Sequence, residues 1–442
     1  MKETDTIAAL ATAPGAGGIA IVRVSGPRAE EIQRTLFIPA RHFESHRMYY
    51  GHAVYQGETL DECMAVLMRA PRSYTREDVV EFHLHGGEWA VRGVLHALYA
   101  LGVRAAEPGE FTRRAFLNGR IDLSQAEAVM ALISAEGDRA ARAAVRQLSG
   151  GVSAFIQKAQ ASLLQLLSGV AAAIDYPEEI SFEDAAGNME AGARALADQL
   201  EAACDERGAR IADQGLEAVL CGRPNVGKSS LLNALSRQER AIVTDIPGTT
   251  RDIIRADVLL AGLRVHFSDT AGIREDADAI ERIGVARARQ AVAGADVVLA
   301  VLDASRELEE PDRHLLEETS QMPRIIVLNK ADLPRRLRKE DFENSLYISA
   351  VTGAGLEELE KRVAAFGACA GESALTQTRH MALARQAAGS LRAAADACAQ
   401  SGAIDVAAVD LHEALAALGR VTGEQVDERL MDDIFSRFCV GK

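Results

Sequence analysis

Three textures of apolar and polar spacing follow one another along the chain. Up to about residue 118, short β-rich runs alternate with Gly and Pro. Thr6–Thr12 and Gly18–Val24 read as strands around the loop Pro14-Gly15-Ala16-Gly17-Gly18, and Val79–His85 alternates strictly. In that alternation Val80, Phe82 and Leu84 share one face, and Glu81, His83 and His85 the other, because successive strand side chains point to opposite sides. From about 119 to 212 the spacing turns helical and rich in Ala, Leu, Glu and Arg, with Ser124-x-x-Glu127 expected as a capping box. Leu216–Cys221 opens an alternation of strands and helices. The Ala-rich helical texture resumes after about Gly371 and runs to Phe438, with a second capping box expected at Thr422-x-x-Gln425.

Two helical stretches of one texture on either side of an α/β stretch predict an insertion. The expected domains are an α+β domain at 1–118, a first helical part at 119–212, an α/β domain at 213–371 and a second helical part at 372–442. Insertion works when the inserted domain's ends lie close together. The alternative, two unrelated helical domains in series, would leave each bundle small for a stable core.

Length agrees with several domains, since 442 residues exceed one ordinary core. With 48% apolar and 26% charged residues the composition is that of a globular protein, and no apolar run is long enough to cross a bilayer. The polar, acidic start Met1-Lys2-Glu3-Thr4-Asp5 resembles neither a secretory signal nor a transit peptide, so a cytoplasmic protein is expected. The six cysteines form no CxxC pair, which argues against disulfides and structural zinc. A net charge of −15 argues against broad non-specific binding to nucleic acid, but leaves open a local basic patch or nucleic acid brought by a partner.

The most specific chemistry lies between Gly222 and Ser229, which match GxxxxGK[ST] between a strand and a helical pattern. Glycines there let backbone N–H groups curl around phosphate oxygens at a helix N-terminus. Asn225, Val226, Gly227, Lys228, Ser229 and Ser230 are the expected phosphate contacts; Lys228 would reach the β- and γ-phosphates and Ser229 would ligate Mg²⁺. Asp269-Thr-Ala-Gly272 ends one strand, placing a carboxylate beside Mg²⁺ and the Gly272 amide beside the γ-phosphate. Asn329-Lys330-Ala331-Asp332 ends another. Asp332 can accept two hydrogen bonds from guanine, whereas adenine would leave the carboxylate unpaired. Ser349-Ala350 would offer backbone N–H to guanine O6, and Thr250 is expected to complete Mg²⁺ coordination. Order and spacing are those of a Ras-like P-loop GTPase domain, and GTP is the expected nucleotide. Ile253–Leu260 and Leu263–Ser268, joined by Ala261-Gly262, read as a hairpin within it. Ile273 stands where Ras-type enzymes carry the water-orienting Gln, so another polar group must supply that role or hydrolysis is slow.

Beyond these motifs, the Pro-Gly-x-Gly-Gly-Ile run, the inserted Asn-Val-Gly-Lys-Ser-Ser loop and the ending Phe438-Cys439-Val440-Gly441-Lys442 resemble the bacterial tRNA-modification GTPases of the MnmE (TrmE) family along the whole chain. Val440, where Ile is usual, and Pro247, where Ala is common, are mild departures. The resemblance implies a multidomain fold: an α+β folate-binding and dimerising N-terminal domain, and a helical domain that carries the Ras-like insert. It implies a homodimer working with a flavoprotein partner, MnmG, on tRNA. The product would be an aminomethyl or carboxymethylaminomethyl group at C5 of the wobble uridine, with a reduced folate (5,10-methylenetetrahydrofolate or 5-formyltetrahydrofolate) as one-carbon donor.

Residue by residue, the resemblance implies K⁺ held by Asn225, Thr244, Ile246 and Thr249, and water oriented by Glu281. It implies folate held by Arg23, Glu81, Arg120 and Lys442, with Arg120 where Lys is frequent. Cys439 is a catalytic candidate or a bland tail residue. Glu81, His83 and His85 form a folate-lining face, a metal site or a solvated surface. Gly15, Gly17 and Gly18 turn the chain or admit a ligand. The competing function is a ribosome-assembly or RNA-binding switch GTPase of the Era or Der class, which would carry a basic RNA-binding domain and would leave the Cys-Val-Gly-Lys tail without a task.

Overall fold

The computed structural model describes residues 5–39, 42–135, 137–176, 178–179, 181–238, 255–269, 294–367, 375–401, 404–426 and 428–441. They fall into two compact units. The first comprises Met1–Ile133, Arg146–Ala193 and Ser390–Lys442, and the second Ser134–Val145 and Arg194–Gly389. The first unit resumes after each of the second unit's two segments.

In the first unit, β1 (Ile7–Leu10), β2 (Gly17–Ser25), β3 (Phe37–Ile38), β4 (Met48–Tyr55), β5 (Glu58–Met68), β6 (Val79–Gly86) and β7 (Arg104–Ala105) form one sheet in the order β3-β4-β5-β6-β2-β1-β7. All pairings are antiparallel except β1 with β7. The alternation read in β6 holds: Val80, Phe82 and Leu84 are buried in one core with Val22, Val24, Ala65 and Leu67. Helices α1 (Ala29–Leu36) and α2 (Glu88–Ala100) add Ile32, Leu36, Val94 and Leu98 to that core. The opposite side of β2 and β6 is left to Arg23, Glu81 and His83.

Helices α3 (Glu110–Leu117), α4 (Leu123–Ile133), α5 (Asp138–Leu148), α6 (Gly151–Asp175) and α7 (Phe182–Ala202) follow. α6 packs against the helix Ile404–Thr422, from beyond the insertion. Small buried residues, Ala159 and Ala173 on one helix and Ala407, Ala414 and Ala417 on the other, let the backbones approach. Gln160 of α6 donates to Glu424 just after that helix, at 3.1 Å.

Neither expected capping box forms at the residues read for it. The box at α4 is Asp122 with Gln125: the Asp122 carboxylate accepts from the Gln125 N–H at 2.9 Å, and the Gln125 side chain accepts from the Asp122 N–H at 3.0 Å. Ser124 lies inside the helix and donates to Asp122 at 2.7 Å, because the ionised carboxylate is the stronger acceptor for a helix start. Thr422 does not begin a helix; it closes one, with its hydroxyl donating to the Gly419 carbonyl at 3.3 Å.

In the second unit, β8 (Leu216–Cys221), β9 (Arg255–Leu260), β10 (Leu263–Asp269), β11 (Val297–Asp303), β12 (Arg324–Asn329) and β13 (Ser345–Tyr347) form a sheet in the order β13-β12-β11-β8-β10-β9. Only β9–β10 is antiparallel. That is the expected hairpin; its turn has positive φ at both Ala261 (47°) and Gly262 (74°), which matches the twist of the strands it joins. Val297–Leu302 and Ile325–Leu328 are continuously buried, as parallel strands covered on both faces must be. Helix α8 (Glu206–Gln214) precedes this sheet and α9 (Lys228–Gln238) follows β8. No helix among the described residues is long and apolar enough to cross a membrane.

Candidate functional site

In the second unit the described strand-end residues Asp269 and Asn329 and the loop after β8 lie at the carboxyl ends of the parallel strands, where open α/β sheets bind ligands. Parallel register sets Asp269 opposite Leu220, Ala300 opposite Cys221, and Asp303 opposite Asn329. The loop after β8 turns into α9 through Asn225, at φ 64°, and Gly227, at φ 98°. Gly227 is demanded twice: the positive φ strains any side chain, and a Cβ there would run into the Asn329 amide nitrogen. Asn225 is among the few non-glycine types that tolerate the left-handed region. Ser229 and Ser230 are exposed in the first turn of α9.

Lys228 is 5% exposed, and its ammonium donates to the carbonyls of Gly222 (2.6 Å) and Arg223 (2.9 Å). The loop thus folds back over the cation that phosphate oxygens would meet. Asn329, 2% exposed, joins both halves of the site. Its amide donates to the Val226 carbonyl of the phosphate loop at 2.8 Å, and its side-chain oxygen accepts from the Ala350 N–H at 3.1 Å. Exposed Asp332 accepts from the Ser349 hydroxyl at 2.6 Å, which fixes the carboxylate expected to read guanine beside the Ser349–Ala350 loop. Val226 is buried under the phosphate loop.

Asp303 was not anticipated. It receives the Lys330 ammonium at 2.7 Å and the Ser305 hydroxyl at 2.6 Å. Burial opposes its charge, but these hydrogen bonds outweigh burial and hold its carboxyl below the usual range. The pair holds Lys330 at φ 61°, and so sets the path of Asn329–Asp332. An available signal was its position: Asp303 ends an apolar strand, as Asp269 and Asn329 do. Thr244, Ile246, Thr249, Thr250, Gly272 and Glu281 lie outside the described residues, so the expected K⁺ and Mg²⁺ ligands there and the water-orienting residue have no described position.

In the first unit, Arg23 and Glu81 face each other across β2 and β6 and pair at 2.8 Å. Burial would raise the Glu81 pKa, but the His83 hydrogen bond and the Arg23 guanidinium hold it lower than usual. His85 turns instead to Asp61, at 2.8 Å, so Glu81, His83 and His85 do not converge on one point. Arg120 is brought into the same neighbourhood by Tyr74. Its guanidinium carbon lies 4.7 Å from the Tyr74 ring centroid, and that of Arg23 lies 5.5 Å from the same centroid. Tyr74 was not anticipated, since an aromatic in a Pro- and Arg-rich loop carries no motif. Its loop is clamped by Glu77, which accepts from Ser25 at 2.6 Å and from buried Arg114 at 3.1 Å.

The tail reaches this site. Val440 bridges to Pro108, the Cys439 carbonyl accepts from the Gly109 N–H at 3.4 Å, and the Gly441 carbonyl accepts from Arg23 at 3.4 Å. Gly441 has φ 95°, and a Cβ would strike the Leu10 carbonyl, so the tail lies this close only as glycine. Phe435 and Phe438 anchor it in a core with Leu123 and Ala126. Cys439 is exposed, and Lys442 lies outside the described residues.

Two family models cover most of the chain between them. A family model described as GTP-binding protein TrmE N-terminus matches residues 6–120, and one described as MnmE helical domain matches residues 123–439. Relatives called tRNA modification GTPase MnmE match end to end. The protein from Synechococcus sp. is 46% identical over 461 residues, covering 100% of both chains. That from Chloroflexus aurantiacus is 46% identical over 453, covering 99% of this chain and 100% of its own. That from Enterococcus faecalis is 43% identical over 459, covering 100% and 99%. On two family models and full-length likeness at this level, the chain belongs to the MnmE family of tRNA modification GTPases.

Proposed function

We propose that this protein hydrolyses GTP in a K⁺-dependent way and, as a homodimer with the flavoprotein MnmG, modifies C5 of the wobble uridine of tRNA with a one-carbon unit from a reduced folate. The observation that carries the reading is the meeting of the Cys439–Gly441 tail with Arg23 and Glu81: a carbonyl–guanidinium contact at 3.4 Å beside an ion pair at 2.8 Å. This places the thiol-bearing tail of the chain by the residues expected to hold folate. A plain switch GTPase of the Era or Der class has no use for that arrangement, and the full-length likeness to tRNA modification GTPases favours the enzyme.

Within the nucleotide site each residue has a task. Lys228 exchanges its carbonyl partners for β- and γ-phosphate oxygens. Asn329 keeps the phosphate and base loops in register, and Asp332, steadied by Ser349, accepts from guanine. Mg²⁺ would be held by Ser229 and Thr250, and K⁺ by Asn225, Thr244, Ile246 and Thr249; bound there, they supply positive charge to the phosphoryl oxygens. The exposed Ser229 in the first helical turn and the left-handed Asn225 in the loop fit those roles. Glu281 takes the place of the Gln that Ile273 lacks.

Two measurements test the proposal. Mass spectrometry of wobble uridines from cells lacking the protein should show loss of the C5 group; an unchanged profile refutes the tRNA role. GTP turnover should be much faster in KCl than in NaCl and should depend on Asn225; equal rates, unaltered by Asn225→Ala, refute the K⁺ mechanism.

A further inference from the structure

In a chain with 64 acidic and 49 basic residues, an arginine normally finds a carboxylate. Arg34, Arg69, Arg104 and Arg114 each do so in the first unit. Three arginines depart from this pattern around one open basin. Arg72, Arg76 and Arg120, with His46, Ser73 and Tyr74, line a cavity of about 490 Å³ that has no carboxylate in its wall. Among the described residues none of the three has an ion-pair partner, and all are exposed. Arg76 donates to the Asn118 carbonyl at 3.0 Å and Arg120 to the Tyr74 carbonyl at 2.9 Å. Those neutral acceptors orient the guanidiniums without cancelling their charge. Positive charge gathered in a concavity attracts anions more strongly than the same charge on a flat surface.

We propose that this basin binds the oligo-γ-glutamyl tail of the reduced folate, an inference that rests on the folate reading of Arg23, Glu81 and Arg120. The basin is continuous with that site through shared residues: Arg120 belongs to both, and Tyr74 lies against both Arg120 and Arg23. A γ-glutamyl chain offers single carboxylates spaced along a flexible backbone. Separate planar guanidiniums can each take one such carboxylate in a two-point hydrogen bond. A nucleic-acid backbone is also a string of anions, but it needs a broad basic surface, which a net charge of −15 does not favour.

The test uses the full-length protein, titrated with 5-formyltetrahydrofolate as the monoglutamate and as the pentaglutamate. Wild type should bind the pentaglutamate about thirtyfold more tightly, the ratio given by two surface guanidinium–carboxylate pairs at the favourable end of their range. The advantage should shrink in about 0.5 M KCl, where screening is short-ranged. The Arg72→Ala/Arg76→Ala double variant, altered only at exposed positions, should bind both forms as wild type binds the monoglutamate. Equal affinities in wild type, or an advantage that survives in the variant, overturns the tail assignment while leaving the folate reading standing. Failure of wild type to bind either folate overturns both. A variant that loses tRNA binding but keeps the pentaglutamate advantage assigns the basin to nucleic acid and overturns the proposal.

Discussion

Asn329→Ala should loosen the nucleotide site from within. The side chain is 2% exposed and makes two hydrogen bonds, one to the phosphate loop at 2.8 Å and one from the base loop at 3.1 Å. Alanine leaves the Val226 carbonyl and the Ala350 N–H without these partners. An unsatisfied buried polar group costs about 1–3 kcal/mol, so roughly 2–6 kcal/mol is at stake in the GTPase unit. At about 2–4 °C per kcal/mol for a unit of this size, its melting transition should fall by roughly 4–24 °C. Nucleotide affinity should fall as well, because the phosphate and base loops lose their common tie. Calorimetry of the nucleotide-free protein reads the first effect, and fluorescent GDP titration the second. A melting shift under about 2 °C, together with unchanged GDP affinity, would refute the idea that Asn329 couples the loops.

Asp332→Asn should move preference from GTP towards XTP, because the amide now donates where guanine offers donors; a competition assay still favouring GTP would remove Asp332 from base recognition. Glu81 has a lowered pKa in the folded protein, so its pairing contributes stability that is complete above the ordinary glutamate value of about 4.3 and is lost as pH falls through the lower folded value. Acid titration should therefore show no loss from this group between neutrality and about pH 5, then a loss below it that is smaller in Glu81→Gln; an identical acid transition in the variant would contradict the assignment. Cys439→Ser should fold and hydrolyse GTP normally yet fail to support uridine modification, and full modification by the variant would reduce the thiol to a tail residue.

The two sites were legible to different degrees for a physical reason. A phosphate loop must turn tightly between strand and helix, so its glycines and lysine sit at fixed spacing in one short segment. The strand-end residues Asp269, Asn329 and Ser349 are likewise marked by the apolar runs they terminate, and parallel register brings two of those ends to the same edge. Asp303 obeys the same rule but belongs to no motif, because its work is on Lys330 rather than on a ligand. The helix starts misled for a related reason: Ser124 and Asp122 are both capping types two residues apart, and it is Asp122 that accepts from the Gln125 N–H while the Ser124 hydroxyl donates to Asp122 instead of capping.

The N-terminal site has no such local signature, because β2, β6, the Tyr74 loop and the chain's last residues build it together. Alternation in β6 put Glu81 on the face opposite the core, but nothing in that strand says that Arg23 stands opposite it, 58 positions away. Nor does the tail's spelling say that Gly441 must pass within a Cβ's width of Leu10. That approach explains why the end of the chain is glycine-bearing: a substituted residue at 441 would lift the tail off β1 and draw its carbonyl away from Arg23. The helix Glu428–Ser436 and the Phe435–Phe438 anchor hold the tail's base against Leu123, so the glycine lets the last turn of chain descend into the site. Cys439 itself is held through its backbone, its carbonyl accepting from the Gly109 N–H while Val440 bridges to Pro108.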